Sequence, residues 1–229
     1  MSDGDIDDVL KEAGTSASVD PALLKAIANT IGADLQPVRP LPASWVLIVV
    51  LVAVCVAVAS AGGAVLGLHG IEALSASRIA LIFPLLLILI CLCAAGSVGE
   101  MIPGGWRVAS PAALLACACL ALTAVFGLLF TDYGTEGFVS QGVACLRAGL
   151  LHAIPTGAIS WWVLRRGFAL HPAAAGLAIG GLSGLAGVTM LELHCANFEA
   201  PHVMVWHTAV LALGGVAGGL LASALSRRN

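Results

Sequence analysis

The stretch LELHCANFEAPHVMVWH, residues 191–207, carries three of the chain's six histidines, His194, His202 and His207, beside Cys195. Met190 and Met204 stand close by. Together they offer nitrogen, thiolate and thioether donors, soft-to-borderline ligands that suit copper or zinc. The spacing His194-Cys195-x6-His202-x4-His207 is not a standard zinc pattern. Adjacent residues rarely ligate one ion together, so three ligands from this set are expected rather than four. Histidines are also ordinary at a membrane interface. A metal site, a redox switch and a plain polar loop are all open on these residues alone.

A second group lies in SQGVACLRAGLLHAIPTG. On a helix Gly142, Cys145, Gly149 and His152 share one face. Arg147 sits inside the same apolar run. Ionisable groups within membrane segments face the bundle interior or water and often mark function, and Glu192 is its candidate partner. Of the seven cysteines, Cys55, Cys91, Cys93, Cys117 and Cys119 lie in apolar runs, where Cys behaves as a small hydrophobe. Cys91/Cys93 and Cys117/Cys119 point about 200° apart on a helix, which makes poor chelating pairs. Cys145 and Cys195 differ, because both fall near one end of their segments. A bridge between them needs Cα atoms roughly 4.4–6.8 Å apart. Cys145 lies about seven residues, or ~10 Å, inside its segment. A bridge therefore needs the 194–202 loop to dip inward or the fourth span to begin later. The sequence allows one without requiring it.

The elements that must position these residues are membrane helices. The 229 residues are 59% hydrophobic and 10% charged, against roughly a quarter charged in a soluble domain. Crossing the ~30 Å hydrocarbon core takes about 20 apolar residues. Six segments qualify, at roughly 45–67, 78–99, 109–130, 138–163, 172–193 and 203–226. Helices are the form expected, because backbone groups in lipid must be satisfied within the segment. Arg39, Arg107, Arg165, Arg166, Arg227 and Arg228 flank one side. Arg78 stands on the other with Glu72, Asp132, Glu136, Glu192 and Glu199. The positive side is cytoplasmic, so both termini are expected inside and residues 191–207 outside. Gly176, Gly180 and Gly184 in the fifth span, and Gly214/Gly218 and Gly215/Gly219 in the sixth, permit close helix packing. The partner is either the other span or a second copy of the chain. The expected fold class is an all-α membrane protein: a six-transmembrane-helix bundle, residues 43–229, behind a short helical cytoplasmic tail, residues 1–42.

That tail holds seven of the thirteen acidic residues. No cleavable leader is expected, since the first apolar run starts near Trp45 behind this charged segment. Asp20 is a good N-cap with Pro21 at the first helical position. Leu24, Ile27, Ile31 and Leu35 then fall on one face, and Pro37 and Pro40 stop the helix. A shorter helix is expected in IDDVLKEAG. Surface-binding helices are usually Lys/Arg-rich, and this tail is acidic, with only Lys11 and Lys25 before Arg39, so the apolar stripe favours a protein partner over the lipid surface. The overall charge of −3 offers no nucleic-acid footprint.

DLQPVRPLPASW, CLRAGL and GLSGLAGVTMLELHC…H…WH resemble the NrsF-type family of six-helix membrane anti-sigma factors, negative regulators of an extracytoplasmic-function sigma factor in proteobacteria. The resemblance covers nearly the whole chain after about residue 20 and leaves residues 1–19 without a counterpart. It implies that the tail holds the sigma factor at the inner membrane. It further implies that two outward-side cysteines, here Cys145 and Cys195, help sense heavy-metal or redox stress, with no obligatory cofactor and copper or another soft ion as the signal. An enzyme is not expected, and the chain has no CxxC. The alternative is a small metal- or haem-binding membrane protein using His152 and His207, or a transporter. A transporter needs midplane polar groups in several spans, which spans 1, 2, 3 and 5 nearly lack.

Overall fold

The computed structural model describes residues 21–34, 41–102, 109–165, 167 and 169–227. The expected helix in residues 6–14, the Asp20 cap, Leu35, Arg39, Arg107, Arg166 and Arg228 lie outside the described residues. The chain divides into two units, Met1–Pro40 and Leu41–Asn229. In the first, helix α1 runs Pro21–Asp34. It begins at the proline, whose missing N–H costs nothing at a helix start. Leu24 and Ile27 are exposed, and Ile31 follows one turn later on the same helix.

The second unit is helical. Among the described residues six helices are long and apolar enough to cross a membrane. They are α2 (Ser44–Leu66), α4 (Ala76–Met101), α5 (Pro111–Leu129), α6 (Phe138–Leu164), α7 (Pro172–His194) and α8 (Ala200–Ser226). A five-residue helix that the sequence reading did not anticipate, α3 (His69–Ala73), joins α2 to α4. Local chemistry accounts for the starts. Ser75 and Ser110 accept hydrogen bonds from the backbone N–H groups of Arg78 and Ala113, and Pro111 and Pro172 open their helices. Pro84 and Pro155 lie within continuous helices.

Helix α7 is the axis of the bundle. Its most apolar window is 89% buried, whereas the other five spans stay between 17% and 39%. Small residues make that possible. A Cβ on Gly176 or Gly180 would run into the carbonyl oxygens of Gly218 or Gly214, and one on Gly184 would lie 2.7 Å from Leu211 Cα. A Cβ on Gly187 would overlap the carbonyl oxygen of Gly149 on α6. The glycine stripe of the fifth span therefore serves contacts within the chain, against α8 and α6.

One end of the bundle carries the 67–75, 130–137 and 195–199 connections, and the cysteine–histidine residues gather there. At this end α3 closes over the C-terminus of α7, where a Cβ on Gly70 would lie 2.7 Å from the Glu192 carbonyl oxygen and 2.8 Å from that of Cys195. Gly180→Val adds a branched side chain where α7 and α8 backbones meet. It is expected to destabilise the folded chain by about 1–3 kcal/mol, read as a lower melting temperature in detergent. A melting temperature equal to the parent's contradicts this packing.

Candidate metal and thiol site

Two close approaches and one irregular turn build the site. Gly149 and Gly187 bring α6 against α7, and this carries Cys145, one turn before Gly149, to the C-terminal end of α7. Cys195 is the residue that ends α7, its N–H donating to the Leu191 carbonyl oxygen at 2.7 Å. The two sulfurs stand 3.6 Å apart as free thiols. Helix α6 starts at Phe138 as expected from the sequence, so the approach is achieved by the following segment turning inward. Ala200 and His202 are fully buried. Hydrogen bonds hold this segment: Asn197 Nδ2 donates to Gln141 Oε1 at 2.8 Å, and Ala200 N–H donates to the Asp132 carbonyl oxygen at 2.6 Å.

The first turns of α8 supply the histidines. Val203–His207 is a π turn. On a regular α-helix residues five apart point about 140° from each other. A turn that closes from i to i+5 returns them to one side. His202 and His207 accordingly face each other, ring centroids 5.5 Å apart and nearly perpendicular. Trp206, in the same turn, fits over Gly142, where a Cβ would overlap the indole, and lies 5.4 Å from the ring of Phe138.

Cys145, Cys195, His202 and His207 thus come together, each offering one ligand atom, all within 4.8 Å of one another. Cys195 Sγ lies 3.6 Å from His202 Nε2. His207 Nδ1 is 2.6 Å from Glu192 Oε1, and both side chains are buried. Of the remaining ring nitrogens, His202 Nδ1 is buried without a hydrogen-bond partner, and His207 Nε2 is buried and faces the Cys195 thiol. Phe126 packs edge-on to His207, and Phe130, fully buried, stacks on Phe198, so the histidine side of the cluster is walled by aromatic rings, while Cys145 is half-buried. Two thiols, two imidazoles and an unpartnered buried nitrogen fit a soft or borderline metal ion.

Several sequence expectations are corrected here. His194 leaves the ligand set and Cys145 joins it: His194 Nδ1 lies 3.1 Å from the Gly67 carbonyl oxygen, its ring 6.0 Å from that of His69. A helix end cannot aim two successive side chains at one point. Arg147 is exposed on α6 rather than interior, and Glu192 is taken by His207. His152 bonds its own helix through Nδ1 at 2.8 Å from the Ala148 carbonyl oxygen, and its ring packs on Gly62. It does not join His207, which removes the haem pairing. Met190 packs near Gly62 and Met204 against Gly127. Cys91 and Cys117 are exposed while Cys93 is buried, as expected of residues on opposite faces. The role of Glu192 was missed, although its place one turn before Cys195 was a usable signal.

The fold and site define a polytopic helical membrane protein with a buried thiol–imidazole cluster at one end. Residues 31–227 match the family model NrsF, negative regulator of sigma F, and the chain belongs to that family. It is therefore a negative regulator of a sigma factor, which is a regulatory and not an enzymatic class. Among curated proteins and solved structures none matches the chain.

Cys195 lies just past the end of α7, and its thiol is held above the ordinary range. The hydrogen bond with Cys145 is the largest cause and burial adds to it, while His202 and His207 pull the other way. The thiolate is the reactive form. Alkylation of Cys195, followed by mass spectrometry, is thus expected to accelerate only above the pH at which ordinary thiols react. Cys145→Ala, which removes the largest cause, is expected to move that profile to lower pH. An unshifted profile contradicts the thiol–thiol contact.

Proposed function

We propose that the protein is an anti-sigma factor of the bacterial inner membrane with both termini in the cytoplasm. In this reading its tail, residues 1–42, sequesters an extracytoplasmic-function sigma factor. Release follows when Cys145 and Cys195, on the outward side, bind a soft metal ion or are oxidised. The observation that carries the sensing half is the 3.6 Å separation of the two sulfurs. They come from different helices and are 50 residues apart in the chain. Capture of one ion by both, or their conversion to a disulfide, ties α6 to α7. Oxidation turns two thiols into one disulfide and passes two electrons and two protons to an oxidant of the peroxide class. Disulfides persist on the oxidising side of a membrane.

Topology supports the same reading. Arg165 and Arg227 lie at the end opposite the cluster, together with Arg39, Arg107, Arg166 and Arg228 in sequence, and positive flanks stay inside. The tail supports the partner half. Leu24 and Ile27 are exposed on α1, in line by sequence with Ile31 and Leu35. An apolar stripe on a helix with only Lys25 and Asp34 charged, behind an acidic segment, suits a protein groove better than an anionic lipid surface. A ligand shifts such a system only by binding the releasing state better than the holding state. The α6–α7 contact is the one that both signals would change.

In cells carrying a reporter for the cognate sigma factor, Cys145→Ser and Cys195→Ser are each expected to alter the response to metal or oxidant while the chain still inserts. Unaltered responses in both variants would remove the thiol-sensor reading. Leu24→Asp with Ile27→Asp is expected to raise reporter output without inducer. If output stays at the parent level with the double variant present in the membrane, the tail is not the sigma-binding element.

A further inference from the structure

We infer that Cys145, Cys195, His202 and His207 form a closed tetrahedral S2N2 site for one divalent d10 ion of the Zn2+ or Cd2+ class, with Glu192 as the residue that positions His207. This rests on the reading of Cys145 and Cys195 as the working thiols, and it specifies what they bind and through which other ligands.

The distances carry the geometry. With zinc–sulfur near 2.3 Å and zinc–nitrogen near 2.0–2.1 Å, tetrahedral angles put two sulfurs about 3.8 Å apart and a sulfur and a nitrogen about 3.6 Å apart. The protein holds Cys145 Sγ and Cys195 Sγ at 3.6 Å and Cys195 Sγ and His202 Nε2 at 3.6 Å. Two edges of the tetrahedron are already set. The other ligand atoms lie within 4.8 Å, so closing the shell takes shifts on the order of 1 Å along the edges. A disulfide asks more of the same sulfurs, which must approach from 3.6 Å to about 2.05 Å.

Three further observations point to a ligand. The π turn places two histidines five residues apart on one side, where a regular helix separates them. His207 Nε2 is buried and faces the Cys195 thiol with no oxygen or nitrogen partner, while Nδ1 meets the Glu192 carboxylate at 2.6 Å. When Nδ1–H donates to that carboxylate, Nε2 presents its lone pair. A carboxylate behind a ligating imidazole is the usual support of a metal-bound histidine. All four donors come from the chain, three of them buried and Cys145 half-buried, so a tetrahedral ion has no open position left for substrate. Such closed sites are structural or sensory rather than catalytic. The four ligands come from α6, the end of α7 and the start of α8. One ion therefore joins three helices.

The test is a titration of the purified, reduced, full-length protein in detergent with Co2+, followed by Zn2+. Expected are one Co2+ per chain, thiolate-to-cobalt charge transfer, the intense ligand-field bands of a tetrahedral ion, and displacement by Zn2+. Glu192→Gln, close in shape, is expected to keep both sets of bands and to weaken Co2+ binding by about 10–100-fold. Cys145→Ser is expected to lose part of the charge-transfer intensity. A weak octahedral spectrum, or no charge transfer, in the unaltered protein overturns the site whatever the variants do. Binding by His202→Ala and His207→Ala at the parent affinity also overturns it, in favour of a cysteine-only site. Tetrahedral binding beside a reporter that ignores the metal sustains the site and overturns the sensing function. Absent binding beside a reporter that responds to oxidant overturns the site and leaves the thiol sensor standing.

Discussion

The contact between Glu192 and His207 is the constraint on which this end of the bundle depends. A carboxylate and an imidazole are 2.6 Å apart and both nearly inaccessible. An isolated charge in such surroundings is prohibitive, and breaking a buried pair leaves the survivor uncompensated. The pair thus fixes how the end of α7 faces the start of α8. It also fixes the His207 ring, and with it the nitrogen that faces the thiols. Replacing the pair with apolar residues could make the bundle as stable or more so. Its persistence in an otherwise apolar axis points to use rather than stability.

Glycine supplies the complementary constraint. Membrane helices gain little from the hydrophobic effect against one another, so they associate by close packing. The stripe Gly176, Gly180, Gly184 and Gly187 lets α8 and α6 both reach the backbone of α7. That brings a thiol from α6, a thiol from the end of α7 and two imidazoles from α8 to one place. In the proposed reading, metal capture or thiol oxidation would act on the same seam, and a change there would repack helices that run the length of the bundle, since packed helices shift between discrete arrangements rather than deform smoothly.

The six spans and the close packing of the last two were legible in the sequence, because length, hydropathy and four-residue glycine spacing are local signals. The tail helix was legible in part: Pro21 marked its start. Cys145 and Cys195 were singled out by position near the ends of their segments, and their meeting was allowed rather than required. The ligand set was read one residue out of place. His194 and Cys195 are neighbours in sequence, but a helix end sends them to different sides. The π turn that brings His202 and His207 to one side could not be seen from spacing, although both stood in the expected ligand set. Arg147 was expected to face the bundle interior or water, with Glu192 as its candidate partner, and it stands on the exposed face of α6. Glu192 found its partner 15 residues on, in His207, and not on α6.

X-ray absorption at the zinc edge of the purified, zinc-loaded chain tests the central claim most directly, that two thiols and two imidazoles act as one site. The account predicts a four-coordinate shell of two sulfurs near about 2.3 Å and two nitrogens near about 2.0–2.1 Å, with the outer-shell scattering of imidazole rings. A shell of oxygens, or of sulfurs without imidazole, would contradict it.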